Sequence, residues 1–157
     1  MRPIPSLAKR RGAVETVPQV HRREVVMAIS SDSIFYPFVE EGGALKFSFS
    51  RFRTGEEALK SLTAPESLVP DLIIASYDLP IMNGSSFVAR CHQLPQLSII
   101  PALILIPRGF DRAKIKRRDT SVPVALIEIP DNRAEWSERV KNIIGYWSIV
   151  VPTNEDR

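Results

Sequence analysis

From Glu24 onward, short apolar runs alternate with segments whose apolar residues recur at helical spacing. Val25-Val26-Met27-Ala28-Ile29 has no polar interruption, as expected of a strand covered on both faces. Ser30-Ser31-Asp32-Ser33 supplies N-cap candidates for a helix through Ile34, Phe35, Phe38 and Val39, with Pro37 tolerable only in a first turn and Gly42-Gly43 as the stop. Lys46 to Phe52 alternates polar and aromatic residues, the pattern of an edge strand with one wetter face. Thr54-Gly55-Glu56-Glu57 fits a capping box, opening a helix that turns Ala58, Leu59 and Leu62 inward.

The alternation continues. Leu72 to Ala75 reads as a buried strand and Pro80 to Gly84 as a turn, before a helix with Phe87, Val88 and Cys91 on one face. Ala102 to Ile106 is another continuous strand, residues 110–118 a short basic helix, and Val122 to Ile129 a fifth strand. Trp136, Val140, Ile143, Ile144 and Trp147 form the inner stripe of a last helix. Five strands alternating with five helices predict an α/β, doubly wound parallel sheet with right-handed crossovers. The flavodoxin-like order 2-1-3-4-5 is the commonest five-stranded solution, and its functional crevice lies beyond the carboxyl ends of strands 1 and 3. Ile29, Ser30 and Ser76 fall there.

A chain of 157 residues is the size of one domain. No apolar run approaches the roughly 20 residues needed to cross a bilayer, and no signal-peptide h-region is present. A single cysteine, Cys91, excludes an internal disulfide, and the chain reads as cytoplasmic. The positive charge is concentrated at one end. Residues 1–23 carry six basic groups against Glu15, a net of +5; the remainder holds 15 basic and 17 acidic residues, a net of −2. Pro3, Pro5, Gly12 and Pro18 with few large apolar residues mark 1–23 as a flexible basic leader, followed by a domain over 24–147 and a C-terminal extension over 148–157.

Residues 24–147 resemble a response-regulator receiver domain of the CheY-like kind. The resemblance rests on Pro70-Asp71-Leu72-Ile73-Ile74 followed by Leu79-Pro80-Ile81-Met82-Asn83-Gly84, on Gly55-Glu56-Glu57-Ala58-Leu59, and on Ile100-Pro101-Ala102-Leu103-Ile104-Leu105. Gly145 to Pro152 is similar to the C-terminal extension of the small regulators paired with cyanobacterial phytochromes. In that family two acids after the first strand and an acceptor Asp after the third hold Mg²⁺. A Ser/Thr after strand four and a Lys after strand five bind the phosphoryl oxygens.

By position, the resemblance places the acid pair at Ile29 and Ser30, the acceptor at Ser76, the Thr at Ile106, the Lys at Ile129 and the aromatic switch near Leu126. All five reactive side chains are replaced. Without convergent carboxylates there is no hard-oxygen cage for Mg²⁺, so the expectation is a pseudo-receiver with no metal, no cofactor and no enzymatic activity. A regulatory adaptor holding a small ligand in the vacated crevice and an atypical phosphoacceptor are the competing readings.

Other candidates add little chemistry. Asp32 and Asp78 lie near the same rim, but two acids make a poor cage. His21 and His92 have no second ligand at metal spacing, and adjacency turns Cys91 and His92 about 100° apart on a helix. Arg108, Arg112, Lys114, Lys116, Arg117 and Arg118 form a basic segment that reads first as a solvated helix; as a docking surface it lacks the interleaved aromatics that base stacking needs, which favours an acidic protein surface over nucleic acid. Trp147, Ile149 and Val150 would be exposed beyond a complete fold, pointing to a homodimer. The expected surface therefore comprises Arg112, Lys116, Arg117, Trp147, Ile149 and Val150. The expected partner is a histidine kinase, phytochrome-type or other signalling protein, with no membrane.

Overall fold

The computed structural model describes residues 22–115 and 124–150. Five strands, β1 (Arg23–Ala28), β2 (Phe47–Phe52), β3 (Leu72–Ser76), β4 (Ala102–Pro107) and β5 (Val124–Ile129), form one sheet in the order β2-β1-β3-β4-β5. All four pairings are parallel. The helices are α1 (Asp32–Gly42), α2 (Gly55–Leu62), α3 (Gly84–Gln93) and α4 (Arg133–Val150).

Alternation along the central strands splits the interior into two cores. Val25, Met27, Ile74, Leu103 and Leu105 face Phe38 of α1 and Trp136, Val140 and Ile144 of α4. Val26, Ile73, Ala75, Ala102, Ile104 and Ile106 face Ala58 and Leu62 of α2 and Phe87, Val88 and Cys91 of α3. This two-sided burial is why β1, β3 and β4 read as unbroken apolar runs.

Side-chain caps open α2 and α3, whereas Ser31 at the start of α1 makes no side-chain cap bond. Thr54 Oγ1 accepts from the Glu57 amide at 3.1 Å, and Asn83 Oδ1 accepts from the Ser86 amide at 2.8 Å. Long-range bonds fix α4 at both ends. Trp136 Nε1 donates to the Ile34 carbonyl at 3.0 Å. The Arg23 guanidinium, 9% exposed, donates to the carbonyls of Leu45 and Ser148, each at 2.7 Å.

Four expectations require correction. The described residues contain four helices rather than five: at 110–118 only a 3-10 turn, Arg112–Lys114, precedes residue 116, where description stops. Phe110 and Ile115 are the large apolar residues of that described stretch, and five positions apart they make no helical stripe to dock. Pro37 stands at the sixth position of α1 rather than in its first turn, buried beside Phe38. Tertiary burial there outweighs the lost backbone bond. Arg23, assigned to the leader, begins β1, and residues 148–150 continue α4 rather than forming an extension. Residues 1–21 and 151–157 lie outside the described set.

Candidate functional site

The sheet register aligns the carboxyl ends of β1, β3, β4 and β5. Ala28 pairs with Ala75, Ser76 with Leu105, Ile106 with Glu128, and Pro107 with Ile129. Ile29, Ser76, Ile106 and Ile129 consequently stand along one edge. Ile29 and Ile106 are buried, Ile129 packs partly buried on the α1/α4 core, and Ser76 is 4% exposed. Ser76 Oγ is buried and has no hydrogen-bond partner among the described residues. Leu126 packs on the opposite core.

A close backbone approach shapes this edge. The Gly84 amide donates to the Tyr77 carbonyl at 2.9 Å, folding the turn back over the end of β3. A Cβ at Gly84 would lie 2.1 Å from the Ser76 carbonyl oxygen, so only glycine lets α3 start there. The ring of Tyr77 meets that of Phe110 at 4.5 Å between centroids, covering the β3–β4 end from the side.

The β1 rim is cationic. Arg51, near the end of β2, donates from Nε to the Ile29 carbonyl (2.9 Å), from Nη2 to the Ser30 carbonyl (3.1 Å) and from Nη1 to Asp32 Oδ1 (2.6 Å). Arg53 donates from Nη1 to the Ser30 carbonyl (3.0 Å) and from Nη2 to Asp32 Oδ1 (3.0 Å). The guanidinium of Arg51 also lies over the Phe35 ring at 4.6 Å. Hydrogen bonds from Arg51 and then Arg53 hold the Asp32 carboxyl below its ordinary range. The acid nearest the β1 end is thereby engaged by two guanidiniums, and Ser30 contributes its carbonyl rather than a reactive side chain. Asp78 is exposed, and among the described residues no group of three or more His, Cys, Asp or Glu side chains could hold a metal.

Arg51 and Arg53 were not among the residues singled out in the sequence. Their signal was faint: an Arg-x-Arg ending an alternating strand acquires meaning only when β2 is placed beside β1. The surface candidates separate in space. Arg112, Trp147 and Val150 line one groove between β5 and α4, whereas Ile149 is 82% exposed and does not line it. Lys116 and Arg117 lie outside the described residues. Cys91 is buried, and burial pushes its thiol up to about 12, while His92 Nε2 sits 2.8 Å from the Ile100 carbonyl.

No family model matches the chain. An 88-residue stretch, 56% of the chain, is 27% identical to the sensor histidine kinase TmoS of Ectopseudomonas mendocina; the chain spans 9% of that relative's length. Among solved structures, the chain is similar to the phosphorylated cyanobacterial phytochrome response regulator RcpA, with TM-score 0.73 and 19% identity over 85% of this chain and 99% of that one. It is equally similar to the Mn²⁺-bound response regulator Rcp1, with TM-score 0.73 and 20% identity over 83% and 98% of the two chains. The fold is that of a CheY-like response-regulator receiver domain.

Proposed function

We propose that this chain is a pseudo-receiver: a signalling module that acts through protein–protein contact, is not phosphorylated on Asp and does not bind Mg²⁺. One observation carries the reading. At the carboxyl edge of the sheet, where the receiver fold gathers carboxylates around a cation, Ile29, Ser76 and Ile106 are buried and two guanidiniums already neutralise Asp32. Mg²⁺ requires oxygen ligands in octahedral array, and a rim holding two cations repels it. Serine at position 76 also lacks the carboxylate needed to form an acyl phosphate. The buried isoleucines weigh against a ligand in the vacated crevice, since they occupy its volume.

The partner is a signalling protein of the histidine kinase or phytochrome type, met in the cytoplasm. TmoS, a sensor histidine kinase, and RcpA, a phytochrome response regulator, support that assignment by their likeness to this chain. Among the described residues no helix is long and apolar enough to cross a membrane. Self-association uses the end of α4, where Ile149 is exposed beside Tyr146.

The decisive experiment exposes the full chain to acetyl phosphate, and separately to beryllium fluoride, each with Mg²⁺. Unchanged intact mass and unchanged amide NMR shifts are expected. A phosphoryl mass increase, or metal-dependent shifts at residues 29–32 and 76–78, would overturn the assignment. Light scattering on the native chain and on Ile149→Glu addresses the dimer: native dimer and variant monomer are expected, and a monomeric native chain refutes it.

A further inference from the structure

At the amino end of the sheet, on the face that α2 covers and α4 does not, a cavity of about 270 Å³ opens beneath the loop that follows α2. One wall is the start of β1 and the middle of β2. Glu24 and Val26 are alternate residues of β1 and share a face, and Ser50 stands opposite Val26 in the register. The other wall is the end of α2 and the chain beyond it, where Ser61, Leu62 and Leu68 line the cavity. Among the described residues Glu24 is the one charged group of the lining. Its side chain is half-buried, yet among the described residues its carboxylate accepts no hydrogen bond and joins no ion pair.

The surroundings of that carboxylate are negative. The Glu24 amide donates to Asp71 Oδ2 at 2.9 Å and the Asp71 amide to the Glu24 carbonyl at 2.7 Å, a reciprocal pair that holds a second acid beside the first. The end of α2 adds the negative pole of its dipole. Arg22 opposes both, but its Nη1 lies 3.4 Å from the Phe47 carbonyl and it makes no ion pair with Glu24. Lys60, in the last turn of α2, is exposed and does not line the cavity.

We infer that this cavity binds a small organic ammonium ion, a primary alkylamine whose ammonium group meets the Glu24 carboxylate and whose short chain lies against Val26, Leu62 and Leu68. A half-buried carboxylate without a donor is unfavourable until a cation reaches it, and an ammonium group brings three N–H donors on one charge. Burial first, and then Asp71, hold the Glu24 carboxyl above its ordinary range, as expected of an acid whose counter-charge is missing. The hydroxyls of Ser50 and Ser61 make no bond among the described residues and line the same cavity as further acceptors. One carboxylate with neutral hydroxyls is too poor an oxygen set for a divalent metal. The volume falls below the roughly 300–1,000 Å³ of sites for drug-sized molecules, which limits the chain to a few carbons. The site stands apart from the carboxyl edge and from the end of α4, so its failure leaves the pseudo-receiver reading and self-association untouched.

The test titrates n-butylammonium chloride into the full chain at neutral pH and constant ionic strength, with amide NMR shifts and the urea midpoint as readouts. Saturable shifts are expected at Glu24, Val26, Ser50 and Leu62, with a rise in the midpoint because the ligand binds the folded state. Glu24→Gln removes one charge-assisted contact and should weaken binding about tenfold. Ser50→Leu leaves the carboxylate in place and fills the cavity, so it should abolish the shifts. Butyrate, of similar size and opposite charge, should give none. Circular dichroism on each variant separates loss of the site from loss of the fold. Shifts that do not saturate, an equal response to butyrate, or unchanged affinity in Glu24→Gln would overturn the assignment. So would binding retained in Ser50→Leu, which would put the amine outside the cavity, or equal affinity for ammonium chloride, which would leave the alkyl chain without a role.

Discussion

Replacing Ser76 by alanine should stabilise the protein, the opposite of what a working hydroxyl would give. Ser76 Oγ is buried and meets no partner among the described residues. A buried polar group without its bond costs about 1–3 kcal/mol, and removing one oxygen leaves a void smaller than a water molecule. Some packing is lost with the atom, so the net gain is about 1 kcal/mol, or about 3 °C in Tm for a domain of this size. Ser76→Asp should do the reverse. A carboxylate set between β1 and β4 beside Ile29 and Ile106 is an uncompensated buried charge, a class that costs about 3–5 kcal/mol. Burial raises the pKa of the introduced carboxyl. Its penalty is then full above the folded-state pKa, shrinks as pH falls, and vanishes below the unfolded value of about 3.9. Urea unfolding followed by circular dichroism at neutral and mildly acidic pH measures both variants. Destabilisation of Ser76→Ala by 1 kcal/mol or more would mean the hydroxyl is bonded, by an internal water for example, and would refute the argument. Ser76→Asp that matches native stability and gains more with Mg²⁺ would refute the closed edge as well.

Arg23→Met should cost about 2–4 kcal/mol in urea unfolding, because it strands the carbonyls of Leu45 and Ser148 and removes a cation from the end of α4; a loss under 0.5 kcal/mol would show the contacts to be dispensable. Glu24 is held above its ordinary pKa first by burial and then by Asp71. A raised carboxyl destabilises the fold above its folded pKa, so Glu24→Gln should raise the urea midpoint at neutral pH, with the difference closing as pH falls through the carboxylate range; a pH-independent difference would contradict this. The Cys91 thiol, buried and pushed up to about 12, should react with a thiol reagent only as fast as the chain opens, and rapid labelling under native conditions would contradict its burial.

Legibility varied with the range of the interaction. β1, β3 and β4 were readable as apolar runs because both faces of each are covered, and the α4 stripe of Trp136, Val140, Ile143 and Ile144 was readable because its period is local. Pro37 was misjudged because a helix-breaking residue is tolerated where its burial outweighs one backbone bond. Residues 110–118 were expected to form a short basic helix, but over the described part of that stretch only a 3-10 turn forms, and Phe110 and Ile115 do not share a helical face. At the carboxyl edge, the positions of Ile29 and Ser76 followed from strand ends alone. The guanidiniums of Arg51 and Arg53 did not, since their bonds to Asp32 join residues 19 and 21 positions apart.

The sequence by itself determined the order of strands and helices, the parallel class of the sheet, and which residue types end β1, β3 and β4, since periodicity and chain punctuation are properties of neighbouring residues. Only the tertiary structure decided what those ends meet. Placing β2 against β1 brings Arg51 and Arg53 onto Asp32, folding α4 back across the sheet brings the Ser148 carbonyl to Arg23 over 125 positions, and setting α4 beside β5 opens the groove between Arg112 and Trp147. Such contacts depend on strand order and helix packing, where a side chain's partner is set by the position of whole elements rather than by its neighbours along the chain.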